Sequence, residues 1–241
     1  MKPQGYSIKL RWHGCSNEIG ELARQYASLL ISSLLASAGL LVDQGMAAML
    51  PAGSLATLVY GGRFVGIAVT LIAGAISSAA APYFSQLAAQ KDWAGCRASL
   101  RDWTLRTALI STPVAVAFVA GSHFLVRTTL QHGTFTQRDT AAVAPVLAMY
   151  AIQIPFFAVS RVFYRFAIAM RRTDLMLYCG LINLVLDVVL NIILMRWMGV
   201  AGIALATSLW SVATFLFLGY WAWRLLTDAE RGKVQQGLPD H

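Results

Sequence analysis

Three charged side chains lie inside long apolar stretches of the sequence: Asp43, Arg63 and Asp187. A charged group at membrane depth costs at least about 2.5–3.5 kcal/mol, so it normally faces a cavity or a partner. Asn183 precedes Asp187 by four residues, which places both side chains on one face of a helix, one turn apart. These residues are the first candidates for a functional site.

An ion site built only from oxygen atoms is one interpretation of the acidic residues. Asp43 and Asp187 supply carboxylates, and Asn183 supplies an amide oxygen. Thr207 offers a hydroxyl, and the backbone carbonyl of Ile203 lies one turn before it. Such a set suits a hard cation such as sodium, or a bound proton. The alternative is that Asp43 lies at the outer interface and Asp187 only hydrogen-bonds Asn183.

Arg63 also has two interpretations. Its planar, permanently charged guanidinium is a good ligand for phosphate or pyrophosphate if it faces a cavity. The alternative is a structural ion pair with Asp43, because both residues flank the turn at Pro51 at comparable distances.

The elements that must position these residues are membrane-spanning helices. The chain is 57% hydrophobic and only 12% charged, about half the charge of an ordinary soluble domain. A helix needs roughly 20 mostly apolar residues to cross a bilayer. The gaps between charges predict six spans near 26–49, 54–88, 104–130, 138–168, 174–195 and 200–224. We therefore predict an all-α, polytopic bundle of six transmembrane helices.

Flanking segments and local signals complete this prediction. Residues 1–25 are expected to form a cytoplasmic amino-terminal segment with an interfacial helix, and residues 225–241 a short cytoplasmic polar tail. Thr136 and Asp139 predict a capping box at the start of the fourth span, and Asp92 predicts a helix cap before the third. Three prolines inside spans predict kinks, with simple packing as the plainer explanation; they are Pro113, Pro145 and Pro155.

The basic residues predict the orientation of the bundle. With the amino terminus inside, 15 of the 19 Lys and Arg residues lie on the cytoplasmic side, as the positive-inside rule requires. Both termini are then cytoplasmic, and the basic clusters lie against anionic lipid headgroups. The net charge of +8 is explained in this way, so we expect no nucleic-acid partner.

Enzyme motifs are absent from the sequence. The four histidines are scattered, and none has metal-ligand spacing to another His, Cys or carboxylate. We find neither a phosphate-loop glycine pattern nor a Gly-x-Ser-x-Gly motif. We therefore expect no enzymatic activity and no cofactor beyond a coupling ion.

Several short motifs occur in a characteristic order along the chain. The most specific is the signature from Gly133 to Thr140, with sequence GTFTQRDT. The other motifs, in chain order, are Val42-Asp43, Met49 to Ser54, Tyr60 to Arg63, Ala81 to Ser85, Asp92-Trp93 and Gly202 to Ser208. Together they resemble the carboxyl-terminal lobe of the MurJ (MviN) lipid II flippases, over about residues 20–225.

This resemblance implies one lobe of the multidrug/oligosaccharidyl-lipid/polysaccharide exporter fold, in which two six-helix lobes rock around a central cavity. Such proteins move an undecaprenyl-pyrophosphate-linked peptidoglycan precursor across the bacterial inner membrane. The resemblance assigns Arg63 to the pyrophosphate. It assigns a sodium site, found in some members, to Asp43, Asn183, Asp187, Thr207 and the carbonyl near Ile203.

The sequence also departs from the family pattern. Gly61-Gly62 replaces the usual Ala-Asp before the arginine, and Ala68 replaces a proline after it. The amino-terminal lobe is missing, so a second lobe, as a separate chain or a second copy, is an expected partner. The leading hypothesis is part of a flippase for lipid II or a related lipid-linked oligosaccharide. The alternatives are a non-transporting remnant or assembly partner, or a drug/cation antiporter of the same superfamily.

Overall fold

The computed structural model describes residues 17–232, and within this range every regular element is a helix. Seven helices make up six candidate membrane spans, each long and apolar enough to cross a bilayer. The all-α, six-span prediction is confirmed. The helices are α1 (Asn17–Ala48), α2 (Ser54–Ala89), α3 (Trp93–Leu130), α4 (Gln137–Ala151), α5 (Gln153–Ala169), α6 (Asp174–Met198) and α7 (Val200–Glu230).

The fourth predicted span is divided into α4 and α5. Pro155 has no backbone N–H to donate to the carbonyl of Ala151, and its ring crowds that carbonyl. The helical hydrogen-bond pattern is interrupted at the single residue Ile152, whose φ of −57° and ψ of −32° remain helical. Pro113 and Pro145 lie inside α3 and α4 without ending them.

Two helices extend beyond their predicted spans, because polar residues outside the apolar stretch continue the helix. α3 begins at Trp93, before the predicted start of the third span at residue 104. α7 continues to Glu230, past the predicted end of the span at residue 224. α1 begins at Asn17, and the predicted amino-terminal segment up to residue 16 lies outside the described residues.

Both predicted helix caps are present. Asp92 accepts a hydrogen bond from the backbone N–H of Gly95 at 2.9 Å. Thr136 accepts one from the N–H of Asp139, whose carboxylate accepts the N–H of Thr136 at 2.7 Å. This reciprocal capping box begins α4 directly after the connection from α3.

Thr136→Ala should lower stability by about 1 kcal/mol, because a capping oxygen is lost and an amide at the start of α4 is left without it. Thermal unfolding in detergent measures this as a lower melting temperature. Thr128→Ala is the matched control, since its exposed hydroxyl only bonds back to the carbonyls of Phe124 and Leu125 within α3. An equal effect of both changes would contradict a role for the cap.

α5 is the central helix, and it packs against α2, α3 and α7. One apolar cluster, which includes Phe84 and Phe166 in edge-to-face contact, lies around its carboxyl-terminal half. A second cluster, which includes Leu147 and Ile203, surrounds α4 and the amino-terminal turns of α5. α1 packs mainly on α6 and much less on α2.

Large apolar side chains cover the outside of the bundle. Leu34, Leu109 and Trp197 are 69%, 76% and 83% exposed, each on a different helix. A soluble monomer rarely exposes so much contiguous apolar surface, whereas lipid covers such surfaces in a membrane. The exterior therefore fits a multi-pass membrane protein.

Candidate functional site

A buried cluster of oxygen-bearing side chains joins α1, α6 and α7. Asn191 of α6 donates from its amide nitrogen to Asp43 of α1 at 2.7 Å and to Asp187, one turn earlier on α6, at 3.3 Å. Thr207 of α7 donates to the other oxygen of Asp43 at 3.2 Å. These four residues, with the carbonyl of Ile203, are called the oxygen cluster below.

The carboxylates of Asp43 and Asp187 are neighbours, since the amide nitrogen of Asn191 bonds to both. Asp43 is 6% exposed and Asp187 is 3% exposed, so water does not screen the two acids. Two buried carboxylates at this separation cannot both be charged without a compensating positive charge. The pair therefore needs either a shared proton or a cation.

Acceptors outnumber donors in the oxygen cluster. The hydroxyl of Thr207 lies 3.2 Å from both Asp43 and the carbonyl of Ile203, but it has one proton to donate. The amide oxygen of Asn191 is buried, and no donor among residues 17–232 bonds to it. Such an orphaned acceptor beside two carboxylates fits a hard cation.

The oxygen cluster offers only oxygen atoms as ligands. Among the described residues, no group of three or more His, Cys, Asp or Glu side chains is placed to hold a metal. Sites with two carboxylates and otherwise neutral oxygens lack the soft or nitrogen ligands that transition metals prefer.

Asn183 lies apart from this cluster. Its side-chain oxygen accepts a hydrogen bond from Thr214 of α7 at 2.8 Å, two turns of α6 away from Asn191. The structure thus brings together Asp43, Asp187, Thr207 and Ile203, as the sequence predicted, but with Asn191 as the amide. Asn191 lies four residues after Asp187, and Asn183 lies four residues before it. The four-residue spacing of a helix face could therefore have identified either asparagine.

Arg63 lies on an exposed face of α2, within three turns of its start. Its guanidinium stands over the ring of Tyr60 at 5.4 Å, and Tyr60 packs edge-on against Phe135 of the α3–α4 connection. The described part of the chain contains no ion pair between Arg63 and Asp43; the carboxylate of Asp43 is bonded to Asn191 and Thr207 instead. Arg63 therefore presents its charge outward from the lobe.

A cavity of about 530 Å³ lies between α1, α5, α6 and α7. It is called the α1–α5 cavity below. Asp187 lines one part of the cavity. Gly39 lies beside its carboxylate, and a Cβ on Gly39 would stand 3.6 Å from the oxygen of Asp187, so the missing side chain leaves room there. Hydroxyl and amide side chains line the cavity further along, namely Ser32, Ser33, Ser160, Asn183, Ser211 and Thr214.

Known proteins with this sequence pattern and fold are membrane transporters. The profile of the family described as lipid II flippase MurJ matches residues 1–235. A probable lipid II flippase MurJ of Thermotoga maritima is 25% identical over 210 residues, which cover 87% of this chain and 43% of that protein. A probable lipid II flippase MurJ of Bdellovibrio bacteriovorus is 23% identical over 206 residues, or 86% of this chain and 39% of that protein.

Solved structures share the fold at lower identity. The lipid II flippase MurJ in an inward closed conformation superposes with a TM-score of 0.71 at 21% identity, over 90% of this chain and 47% of that one. An outward-facing multidrug resistance MATE family transporter of the MOP superfamily gives a TM-score of 0.71 at 17% identity, over 83% and 44%. The chain spans less than half the length of these relatives. By its sequence profile, it belongs to the lipid II flippase MurJ family.

Proposed function

We propose that this chain forms one lobe of a flippase for lipid II, or for a related lipid-linked oligosaccharide, in the bacterial inner membrane. A second lobe, supplied by a separate chain or a second copy, would close the substrate cavity. The observation that carries the proposal is the oxygen cluster, because it places two buried acids where an ion would tie α1 to α6 and α7.

The cluster suggests how an ion would be coupled to movement. α1 is attached to the bundle mainly through α6, and Asp43 is its polar anchor to α6 and α7. When sodium or a proton offsets one of the two negative charges, α1 is held against α6. When the site is empty, the uncompensated charge of Asp43 and Asp187 favours separation. Transport by alternating access would use this change in the packing of α1.

Arg63 is the proposed contact for the pyrophosphate of the substrate. Its guanidinium is exposed and lacks a carboxylate partner among residues 17–232, and its stacking on Tyr60 restricts its rotamers. A guanidinium fork held in this way binds phosphate oxygens with two parallel hydrogen bonds. We also propose that both termini are cytoplasmic, as the distribution of basic residues favours.

Arg63→Ala should abolish growth of flippase-depleted bacteria that express this chain together with an amino-terminal MurJ lobe. The change removes the charge that would bind pyrophosphate, and Arg63→Lys should restore growth only in part because the fork is lost. Colony counts after depletion, with membrane levels checked by immunoblot, measure the effect.

Arg138→Ala is the matched control, since Arg138 is also exposed but lies at the start of α4. It should support growth at the level of the unaltered chain. Failure of the unaltered chain to restore growth with any amino-terminal lobe would instead favour a non-transporting remnant or assembly partner. Growth that Arg63→Ala leaves unchanged would refute the pyrophosphate contact.

A further inference from the structure

A groove of about 540 Å³ lies between α2 and α3 on the outside of the bundle. It is called the α2–α3 groove below. α2 packs mainly against α4 and α5 and only lightly on α3, so helix packing does not close this space. On the side of α2 the wall contains the exposed alanines Ala75 and Ala79, whose small side chains leave the groove open along its length. An apolar channel of this kind can hold an acyl chain.

The groove has a polar end and an apolar end. Tyr83 and Ser99, joined by a hydrogen bond of 3.4 Å, line the end nearest the α2–α3 connection, and Trp103 lies close to them. Ile72 and Ile110 line the other end. From Ser99 to Ile110 a helix rises about 16 Å, and the hydrocarbon of one bilayer leaflet is about 15 Å thick. The groove therefore has the length and polarity of one phospholipid whose headgroup lies toward the α2–α3 connection.

An ion pair on α3 lies within the polar half of the groove. Asp102 and Arg106 both line it, and Nη2 of Arg106 is 3.6 Å from Oδ2 of Asp102. This distance exceeds the 2.7–2.9 Å that is roughly usual for a direct charged hydrogen bond, and the side chains are 64% and 78% exposed. An exposed pair of this kind contributes little to stability, so it can open at small cost to receive a ligand.

The order of the two charges along α3 matches one class of lipid headgroup. Asp102 is one turn nearer the α2–α3 connection than Arg106, and hence nearer the bilayer surface. In phosphatidylethanolamine the ammonium group likewise lies outward of the phosphate. The ammonium can donate to the carboxylate of Asp102 while the phosphate accepts from the guanidinium of Arg106.

Other common headgroups match this arrangement less well. Phosphatidylglycerol brings a negative charge without a cation, and that charge would be repelled by Asp102. The trimethylated nitrogen of phosphatidylcholine has no hydrogen to donate to the carboxylate. A primary ammonium, in contrast, has three hydrogen-bond donors.

We propose that the α2–α3 groove binds phosphatidylethanolamine, with its ammonium at Asp102, its phosphate at Arg106 and an acyl chain along the apolar end. Because the hydroxyl of Tyr83 accepts from Ser99, its own proton can be donated to a phosphate or ester oxygen of the lipid. The bound lipid would fill the space between α2 and α3. This site lies at the end of α2 opposite to Arg63, and it shares no residue with the oxygen cluster.

The test uses the full chain purified in detergent, with phosphatidylethanolamine added in mixed micelles. At 100 times its dissociation constant, this lipid should raise the melting temperature by about 5 °C and remain bound in native mass spectra. Phosphatidylglycerol and phosphatidylcholine with the same acyl chains should give less than half of this shift.

Three variants test the headgroup contacts. Asp102→Ala and Arg106→Gln should each remove most of the shift, since each removes one partner of the headgroup. The double variant that exchanges the charges, Asp102→Arg with Arg106→Asp, should remove it as well. Because this variant keeps an ion pair and the net charge of α3, its loss of binding cannot be attributed to a missing salt bridge.

A fourth variant tests the apolar part of the groove, and a fifth is the matched control. Ala79→Leu should remove the shift without changing any charge, because the larger side chain fills the groove. Arg127→Gln should keep the full shift, since Arg127 is exposed near the other end of α3 and does not line the groove.

Two results would overturn the headgroup assignment. One is a charge-exchanged variant that elutes as monodisperse protein and responds to phosphatidylethanolamine like the unaltered chain. The other is equal stabilisation by phosphatidylglycerol or phosphatidylcholine. A shift that Ala79→Leu leaves intact would place the lipid elsewhere and refute the groove as its site.

Discussion

Replacing Asp187 with asparagine is expected to abolish the stabilisation of this chain by sodium. For the unaltered chain, sodium at 100 times its dissociation constant should add about 2.7 kcal/mol to the free energy of unfolding. That corresponds to a rise in melting temperature of about 5–10 °C for a chain of this size. Asparagine keeps the shape of Asp187 but removes the charge that balances the ion.

The same substitution should raise the melting temperature measured without sodium. Without sodium, Asp43 and Asp187 either repel each other or must bind a proton, and asparagine removes that cost. A variant that is more stable in potassium buffer yet insensitive to sodium cannot be explained by misfolding. Thermal unfolding in matched sodium and potassium buffers measures both effects.

Three further variants make the test specific. Asn191→Ala should weaken the response to sodium, since its amide oxygen is the orphaned acceptor of the cluster. Asn183→Ala should leave the response intact, because Asn183 is bonded to Thr214 instead. Asp102→Ala is the control for loss of an acid, as its side chain is 64% exposed. A sodium response that survives in Asp187→Asn would refute the ion site.

A proton in place of sodium gives a different pattern. The unaltered chain would then ignore sodium but become more stable on acidification, because one shared proton relieves the repulsion between Asp43 and Asp187. Asp187→Asn would remove that gain as well. The two measurements therefore distinguish the coupling ions while testing the same residues.

The spans could be predicted from the sequence because charge is so costly in lipid that the gaps between charged residues mark the bilayer. Caps such as Thr136 and Asp92 were equally predictable, since they depend on residues three positions apart. A kink was predicted at Pro155, and the hydrogen-bond pattern is interrupted at Ile152 while the backbone there stays helical. A proline inside a span either bends or breaks its helix, and the neighbouring helices decide which.

The oxygen cluster shows where helical spacing alone is insufficient. Asn183 and Asn191 are both four residues from Asp187, on the same face of α6 and in opposite directions. Only the packing of α1 and α7 against α6 selects Asn191 as the amide of the cluster. Asp43 is more than 140 positions from Asn191 in the sequence, so helical spacing cannot show their contact. Arg161 is a similar case. Its sequence position puts it among the basic residues of the cytoplasmic side, but it lines the α1–α5 cavity because α1 makes at most marginal contact with α5.

The connection between α6 and α7 makes the position of Ile203 and Thr207 depend on one glycine. Gly199 turns the chain with φ of 58°, and α7 begins at the next residue. The first turn of α7 therefore lies directly against the last turns of α6. A Cβ on Gly202 would overlap the carbonyl group of Leu194 and stand 2.9 Å from the nitrogen of Met195.

Gly202→Ala is expected to destabilise the chain by about 3 kcal/mol or more, because the overlap is with backbone atoms and no rotamer change relieves it. Relief requires α7 to move away from α6, and this displaces the carbonyl of Ile203 and the hydroxyl of Thr207 from Asp43. We therefore expect a much lower melting temperature together with loss of the sodium response.

Gly74→Ala is the matched control, since nothing lies within 4 Å of a Cβ there. Alanine is the better helix former by about 1 kcal/mol, so that variant should melt at the same or a higher temperature. If Gly202→Ala behaves like Gly74→Ala, the α6–α7 connection is looser than described, and it does not fix the geometry of the oxygen cluster.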